Sequence, residues 1–441
     1  MFTIDVPKEI SRVCNASASQ SASPSPKLGQ YKPVKPSRSI STANSMVARR
    51  RPGTAAKLNA GFIMPAELAG RDLPGRPSRE RRKSENVRIA MSTPDRDGRG
   101  TRLNPANRYE RLHVEHSASD DLDPSDDAAP TEVFRDASKT ILAENDSPDV
   151  GFRFSLNPYR GCEHGCIYCY ARPSHEYLGF SAGLDFERKI LVKTGAPALL
   201  RAALSAPRWQ PQVVALSGNT DCYQPIERQL RLTRGCLSVF AEFRNPVGII
   251  TKSALVARDI DLLGELARQD AVHVNVSITT LEADLARRME PRASTPERRL
   301  QAVATLAAAG VRVGVMIAPV IPGLNDHEIP AILERAAAAG ACSAAWTLVR
   351  LASPLDQLFV DWLEKHYPER LLRVLGRLRS CRSGALNDTR FSHRMRGEGE
   401  YAAQIRSLFM LAARRRGLDR PLPALNAAAF RRPGGTQISL W

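Results

Sequence analysis

Residues 157–180 read NPYRGCEHGCIYCYARPSHEYLGF and place three of the chain's eight cysteines, Cys162, Cys166 and Cys169, within eight residues. Thiolates that close can hold one compact inorganic centre. A structural zinc site asks for four protein ligands, usually in two pairs. No second pair exists. Cys222, Cys236, Cys342 and Cys381 stand alone, Cys14 lies near the N-terminus, and His164 could join the first two cysteines only by straining a short loop. A catalytic zinc with three cysteines stays open as an alternative. A 4Fe–4S cluster on three thiolates keeps one iron without a protein ligand, whereas clusters that only transfer electrons normally have four cysteines. An open iron suits a centre at which something else must bind.

The elements that would position these thiols begin near residue 150. FRFSLNP runs straight into the cysteines, and five further β-branched runs follow: VVALS (213–217), VGIIT (247–251), VHVNVSI (272–278), VRVGVMIAPVI (311–321) and AAWTLVRL (344–351). Helical patterns lie between them in PIERQLRLTRGCLSVFAEF, ALVARDIDLLGELARQ, TPERRLQAVATLAAAG and HEIPAILERAAAAG. In the third of these, Thr295 is a candidate N-cap, Pro296 takes the first helical position and Gly310 sits just past the end. Six strand-then-helix units predict an α/β fold with a parallel sheet and helices outside it. Right-handed crossovers would wind the series into a barrel or part of one.

The expected organisation is a disordered basic tail over 1–90, an N-terminal extension over 91–149 with an acidic linker at 116–130, a core over 150–353, and a mostly helical extension over 354–441. The strongest pattern in that extension is LDQLFVDWLEKHYPERLLRVLGRLR, and its end, FRRPGGTQISLW, reads as a loop with an apolar tip. Met91 opens a segment of more structured character and is a candidate translation start.

Hydrophobic content of 43% supports a sizeable core, while 6% aromatics with 28 glycines and 31 prolines point to unstructured appendages. No apolar run of about 18 residues appears, so no membrane span is expected. The first thirty residues lack a secretory signal's apolar stretch. They are Ser-rich and acid-poor, faintly like an organelle transit peptide, and a disordered tail is the plainer expectation. Cysteines clustered in this way, without a secretory signal, point to metal or redox chemistry in a reducing, cytoplasmic setting. The net charge of +17 divides into +13 over residues 1–111, −9 over 112–150 and +13 over the remainder. That balance favours anionic partners, nucleic acid included. Solubility in an Arg-rich proteome would account for it equally well.

C-x3-C-x-aromatic-C, here Cys162, Cys166, Tyr168 and Cys169 after the first strand of a parallel β/α series, resembles the motif of the radical S-adenosylmethionine (radical SAM) superfamily. The resemblance implies a partial (β/α)6 TIM-like barrel with its site at the C-terminal ends of the strands, a 4Fe–4S cluster on the three cysteines, and S-adenosylmethionine chelating the open iron. Reductive cleavage of that cofactor would yield a 5′-deoxyadenosyl radical that takes a hydrogen atom from a substrate. An electron donor such as flavodoxin or ferredoxin is implied, and a monomer is expected. Ser217, Gly218, Asn219, Thr220 and Asp221 stand where many members carry a Gly-Gly-Glu-like segment that meets the cofactor's amino group. Lys252 and Ser277 resemble cofactor contacts of the spore photoproduct lyase branch, to carboxylate and ribose. APVIPGLND (318–326) would wall the adenine, and Arg292 is a second carboxylate candidate.

The stretch from NPYRGCEHGCIYCYARPSHEY to HRMRGEGEY is similar to a bacterial group related to spore photoproduct lyase, often labelled DNA repair photolyase-like, over roughly residues 92–435. Lyases of that kind use an extra cysteine as hydrogen donor. Cys222 lies in that region but after the Thr-Asp pair rather than before it, so a small residue packed behind the loop is the competing expectation.

Three functions follow. The first is an enzyme acting on nucleic acid, with Arg394 and Arg396 as phosphate contacts unless they pair with Glu398 and Glu400. The second is radical modification of a protein or small molecule. The third is an iron–sulfur binding or sensor protein without turnover.

Overall fold

The computed structural model describes residues 98–101, 103–109 and 130–434. They fall within one compact unit, and residues 15–85 lie outside the described residues. So do the tail, Cys14, the Met91 start and all of the acidic linker except Pro130.

Ten strands appear among the described residues: β1 (Glu132–Arg135), β2 (Leu142–Glu144), β3 (Phe154–Leu156), β4 (Tyr159–Arg160), β5 (Lys189–Val192), β6 (Val214–Leu216), β7 (Val247–Thr251), β8 (Val272–Ser277), β9 (Arg312–Val320) and β10 (Ser343–Leu348). Seven form one sheet in the order β10-β9-β8-β7-β6-β3-β2. From β3 to β10 the pairing is parallel and follows chain order, and β2 adds an antiparallel edge. The six parallel strands are those expected from the β-branched runs, and the sheet is open, a partial (β/α)6 barrel.

Sequential parallel strands need a crossover at every step, and the helices that supply it cover the sheet. The strands are accordingly buried on both faces: in β8, VHVNVS, five of six residues are buried, Val272, Val274 and Val276 on one face and His273 and Ser277 on the other. One register row, Leu156–Leu216–Ile249–Val274–Val313, crosses five strands with every side chain at 1% exposure or less. That row fixes the strands in step, so Asn157, Ser217, Lys252 and Ser277 emerge at or just past the same edge.

A second sheet, β1-β5-β4, was not expected. Its strands are two to four residues long and carry no period to detect. It closes a small core of Val133, Tyr159, Ile190, Val192 and Ile226 and carries the chain into the cysteines.

Helix boundaries depart from the sequence pattern where the chain must turn. The pattern over 225–243 is broken at Arg231, which takes φ 51° between the helices Glu227–Leu230 and Leu232–Phe243. Buried Glu227 explains the break, because its carboxylate accepts from the Thr233 N–H (3.0 Å) at the start of the second helix. The pattern over 254–269 opens as a 3₁₀ turn, Ala254–Asp259, before the helix Ile260–Ala267. The long pattern after β10 splits at Tyr367–Pro368 into Leu355–His366 and Leu371–Ser380.

Those two helices bury Leu355, Phe359, Trp362 and Leu378 in a second core shared with Ile167, Tyr168, Ile321 and Leu324, next to the cysteines. A strap after the last helix, Glu400–Arg415, runs past the opposite end of the sheet. Along it Leu418 and Arg420 accept from Ala344 and Ser343, and the Asn426 N–H donates to Asp270.

Thr295 caps the helix Pro296–Ala308 by accepting from the Arg298 N–H, and Gly310 follows at φ 79°. Thr295→Ala should therefore cost about 1 kcal/mol. The expected signature is a lower urea midpoint at unchanged m-value.

Candidate functional site

The cysteine loop leaves β4 and ends in the 3₁₀ helix Arg172–Leu178. Cys162 and Cys166 are buried, Cys169 is half-buried, and none is in a disulfide. The loop thus climbs from the interior to Tyr170, which is 51% exposed. Its backbone is pinned on both sides: the Cys162 N–H donates to Phe186 (2.9 Å) and the Ile167 N–H to Met289 (3.0 Å). Gly165, at φ 66°, cannot be larger, since a Cβ there would meet Glu187 Oε2 at 2.7 Å.

Arg172 holds the loop's shape. Its guanidinium is fully buried and donates to the carbonyls of Cys166 (3.0 Å), Gly165 (3.2 Å) and Gly183 (2.9 Å). It also pairs with Glu187, whose other oxygen accepts from the Gly100 N–H (2.8 Å). Nothing in the local pattern marks Arg172 or Glu187 beyond their place beside the motif.

The site fits a multinuclear centre better than a single ion. Around one zinc, sulfurs at 2.3 Å in a tetrahedron would lie about 3.8 Å apart. The three cysteine sulfurs do not all lie within 4.8 Å of one another. A cluster places each thiolate on a different iron and suits that spread. Burial pushes all three thiols above their ordinary pKa, and Asp221 adds to this at Cys162. Thiolates there call for a cationic centre to hold them.

The residues expected to contact a cofactor fall into two groups. Lys252 comes to the loop: its Nζ lies 5.7 Å from the Tyr168 ring centroid, and its charge favours the thiolates of Cys166 and Cys169. Ser277 sits buried at the end of β8, where its carbonyl accepts from Arg299 (3.1 Å). Ile321 and Leu324, in the 318–326 stretch, are completely buried beside the loop. Asn325 ties that stretch to β8 by donating to Thr279 (2.8 Å).

The 217–222 loop instead binds itself to the protein. Ser217, held at φ 76°, accepts from the Cys222 N–H (2.6 Å). Gly218 lies against β3, where a Cβ would meet Ser155 Cβ at 2.8 Å. The Asn219 and Thr220 N–H groups share Asn157 Oδ1, and Thr220 Oγ1 donates to Tyr159 (2.7 Å). Asp221 accepts from Thr251 Oγ1 (2.8 Å), the Lys252 N–H (2.7 Å) and the Tyr223 N–H (2.9 Å), and lies 3.4 Å from His164 Nδ1. Burial pushes its carboxyl up, but His164 and the backbone donors bring it down to about 2.

Cys222 is fully buried in the main core, and burial raises its thiol well above the ordinary value. That placement is the one expected of a residue packed behind the loop. Arg292 pairs with Glu163 (3.3 Å). Arg394 pairs with Asp149, and Arg396 donates to the Trp346 carbonyl (2.6 Å). Neither uses Glu398, which pairs with Arg390 (2.7 Å), nor Glu400.

Behind Tyr168 lies a buried network that the sequence does not announce. Glu290 accepts from the Tyr168 hydroxyl and Thr279 Oγ1 (2.6 Å) and pairs with Arg299. It anchors the motif's aromatic residue to the end of β8.

The sequence profile of the Radical SAM superfamily matches residues 156–336. An uncharacterized protein of Mycobacterium tuberculosis is 40% identical over 224 residues, 50% of this chain and 66% of that protein, so the match spans just under two thirds of its length. One from Methanocaldococcus jannaschii is 31% identical over 178 residues, 40% of this chain and 64% of that protein. The Radical SAM Nalpha-GlyT isomerase of Pseudomonas phage M6 is 26% identical over 217 residues, 48% and 43% of the two chains. Among solved structures, a spore photoproduct lyase variant superposes with TM-score 0.43 at 14% identity over 65% of this chain and 80% of its own. No described helix is long and apolar enough to cross a membrane.

Arg172→Leu leaves Glu187 buried without its cation and should cost roughly 3–5 kcal/mol. Urea midpoints and iron bound per chain on reconstitution should both fall. Replacing Arg172 and Glu187 together by leucine should recover stability but not iron, because the carbonyls of the loop still lack their donor.

Proposed function

We propose, on the match of residues 156–336 to the Radical SAM superfamily, that the chain is a radical SAM enzyme with a nucleic acid as substrate. The observation that carries the radical chemistry is the trio of free cysteines on one pinned loop, with the Lys252 ammonium beside it. When bound, a 4Fe–4S cluster and S-adenosylmethionine supply a 5′-deoxyadenosyl radical able to take hydrogen from an unactivated carbon.

The chain's own residues supply position and dryness. Cys162, Cys166 and Cys169 would hold the cluster, and the loop's fixed backbone sets the direction of each thiol. Lys252 brings a cation beside the cluster, suited to the cofactor's carboxylate, and its backbone is locked by Asp221. The core of Ile167, Ile321 and Leu324 keeps water from one side of the site. The positive charge of the body favours a nucleic acid over a neutral small molecule.

The test uses anaerobically reconstituted protein reduced with dithionite in the presence of S-adenosylmethionine. Wild type should release 5′-deoxyadenosine, while Cys166→Ala should lose both iron and product. Zinc bound in place of iron, or a full iron complement with no cleavage under any substrate, would overturn the reading.

A further inference from the structure

Just past β10, the rim of the sheet holds two arginines that no carboxylate pairs with directly among the described residues. Arg350 extends over Tyr170, its guanidinium carbon 5.5 Å from the ring centroid, one residue beyond Cys169. Among the described residues no carboxylate forms an ion pair with it. Behind it lies Arg382, buried to 2% exposure. The Arg382 guanidinium donates to the carbonyls of Val349 (2.8 Å) and His393 (3.1 Å), and its Nε has no partner. A third guanidinium, Arg394, is already neutralised by Asp149 and donates to Ser147 (2.6 Å).

Two half-buried or buried cations without a directly paired carboxylate are costly to keep together. Burial lowers the pKa of Arg350 and Arg394 adds to that, against Tyr170 and Asp149; burial lowers Arg382 as well, against Asp388 and Cys381, with Arg350 working in the lowering direction. The stack on Tyr170 is a weak attraction in an exposed setting and does not discharge the pair. An oxyanion would, and a guanidinium's fork matches phosphate oxygens. The seat is open along the rim, since Tyr170 keeps half its surface exposed, so a chain can continue past the anion on both sides.

We propose that Arg350, backed by Arg382, seats a phosphodiester of a nucleic-acid strand beside Tyr170, at the open end of the cysteine loop. The proposal rests on the nucleic-acid reading given above and assigns that substrate a contact point.

The experiment is fluorescence anisotropy of the reconstituted full chain with a short labelled single strand and with its duplex, over a series of KCl concentrations. Arg350→Gln should weaken binding about tenfold and lower the slope of log affinity against log salt by about one. Arg350→Lys should keep the slope, because the charge remains. Iron bound per chain, read alongside, reports that both variants fold. Equal affinity and slope for wild type and Arg350→Gln would overturn the seat. So would an acidic peptide that binds with the Arg350 dependence when neither oligonucleotide does. Cleavage of S-adenosylmethionine is read separately on wild type. If it fails while Arg350→Gln still loses affinity and slope, the phosphate seat stands and only the radical chemistry falls.

Discussion

Arg172 carries a full charge into a place with no solvent, and the cysteine loop is built around it. Taking a guanidinium and a carboxylate out of water costs several kcal/mol each, and their attraction offsets this only when the remaining donors are also used. Here they are. Carbonyls from both sides of the loop and from residue 183 converge on one planar fork, and Glu187 completes it. Glu187 also draws in the segment at Gly100, so three separated stretches are fastened at one point. A lysine would bring the charge without the geometry. Because the carbonyls of Gly165 and Cys166 are committed, the thiols around them have little freedom in where they point.

Asp221 does comparable work on the other flank. It stands after β6, accepts from the end of β7, and touches His164 inside the cysteine loop. One carboxylate thus joins two strand ends to the loop and fixes the backbone of Lys252. Such a site is organised before any ligand arrives, so binding energy is not consumed in ordering it.

The six strand–helix units were legible because a parallel sheet buried on both faces demands continuous β-branched runs, and runs of that length and spacing rarely arise in any different architecture. The Thr295–Gly310 helix was legible for a similar reason, since its caps are local. The cysteines were legible by spacing alone. The 217–221 loop was not. A polar residue past a strand end reads the same whether it meets a ligand or completes the backbone's own hydrogen bonds, and only the fold shows Ser217, Thr220 and Asp221 turned inward. Asn157 and Glu290 were missed for the complementary reason. Their partners Asn219 and Tyr168 lie 62 and 122 positions away, and no local pattern marks them.

Net charge does not locate a binding site on this surface, because many of its arginines are already paired. Arg234 and Arg258 are held by Asp259, Asp261 and Glu227; Arg201, Arg335 and Arg416 each face a glutamate; Arg390 bridges Asp388 and Glu398. Paired charges of this kind add little stability and little outward field. The positive total draws anions to the body in general but does not say where one is seated. The rim past β10 is set apart by position: Arg350 and Arg382 form no ion pair among the described residues there, at the edge where the strands, the cysteine loop and Lys252 converge. Specific recognition of an anion depends on that local imbalance and not on the sum over the chain.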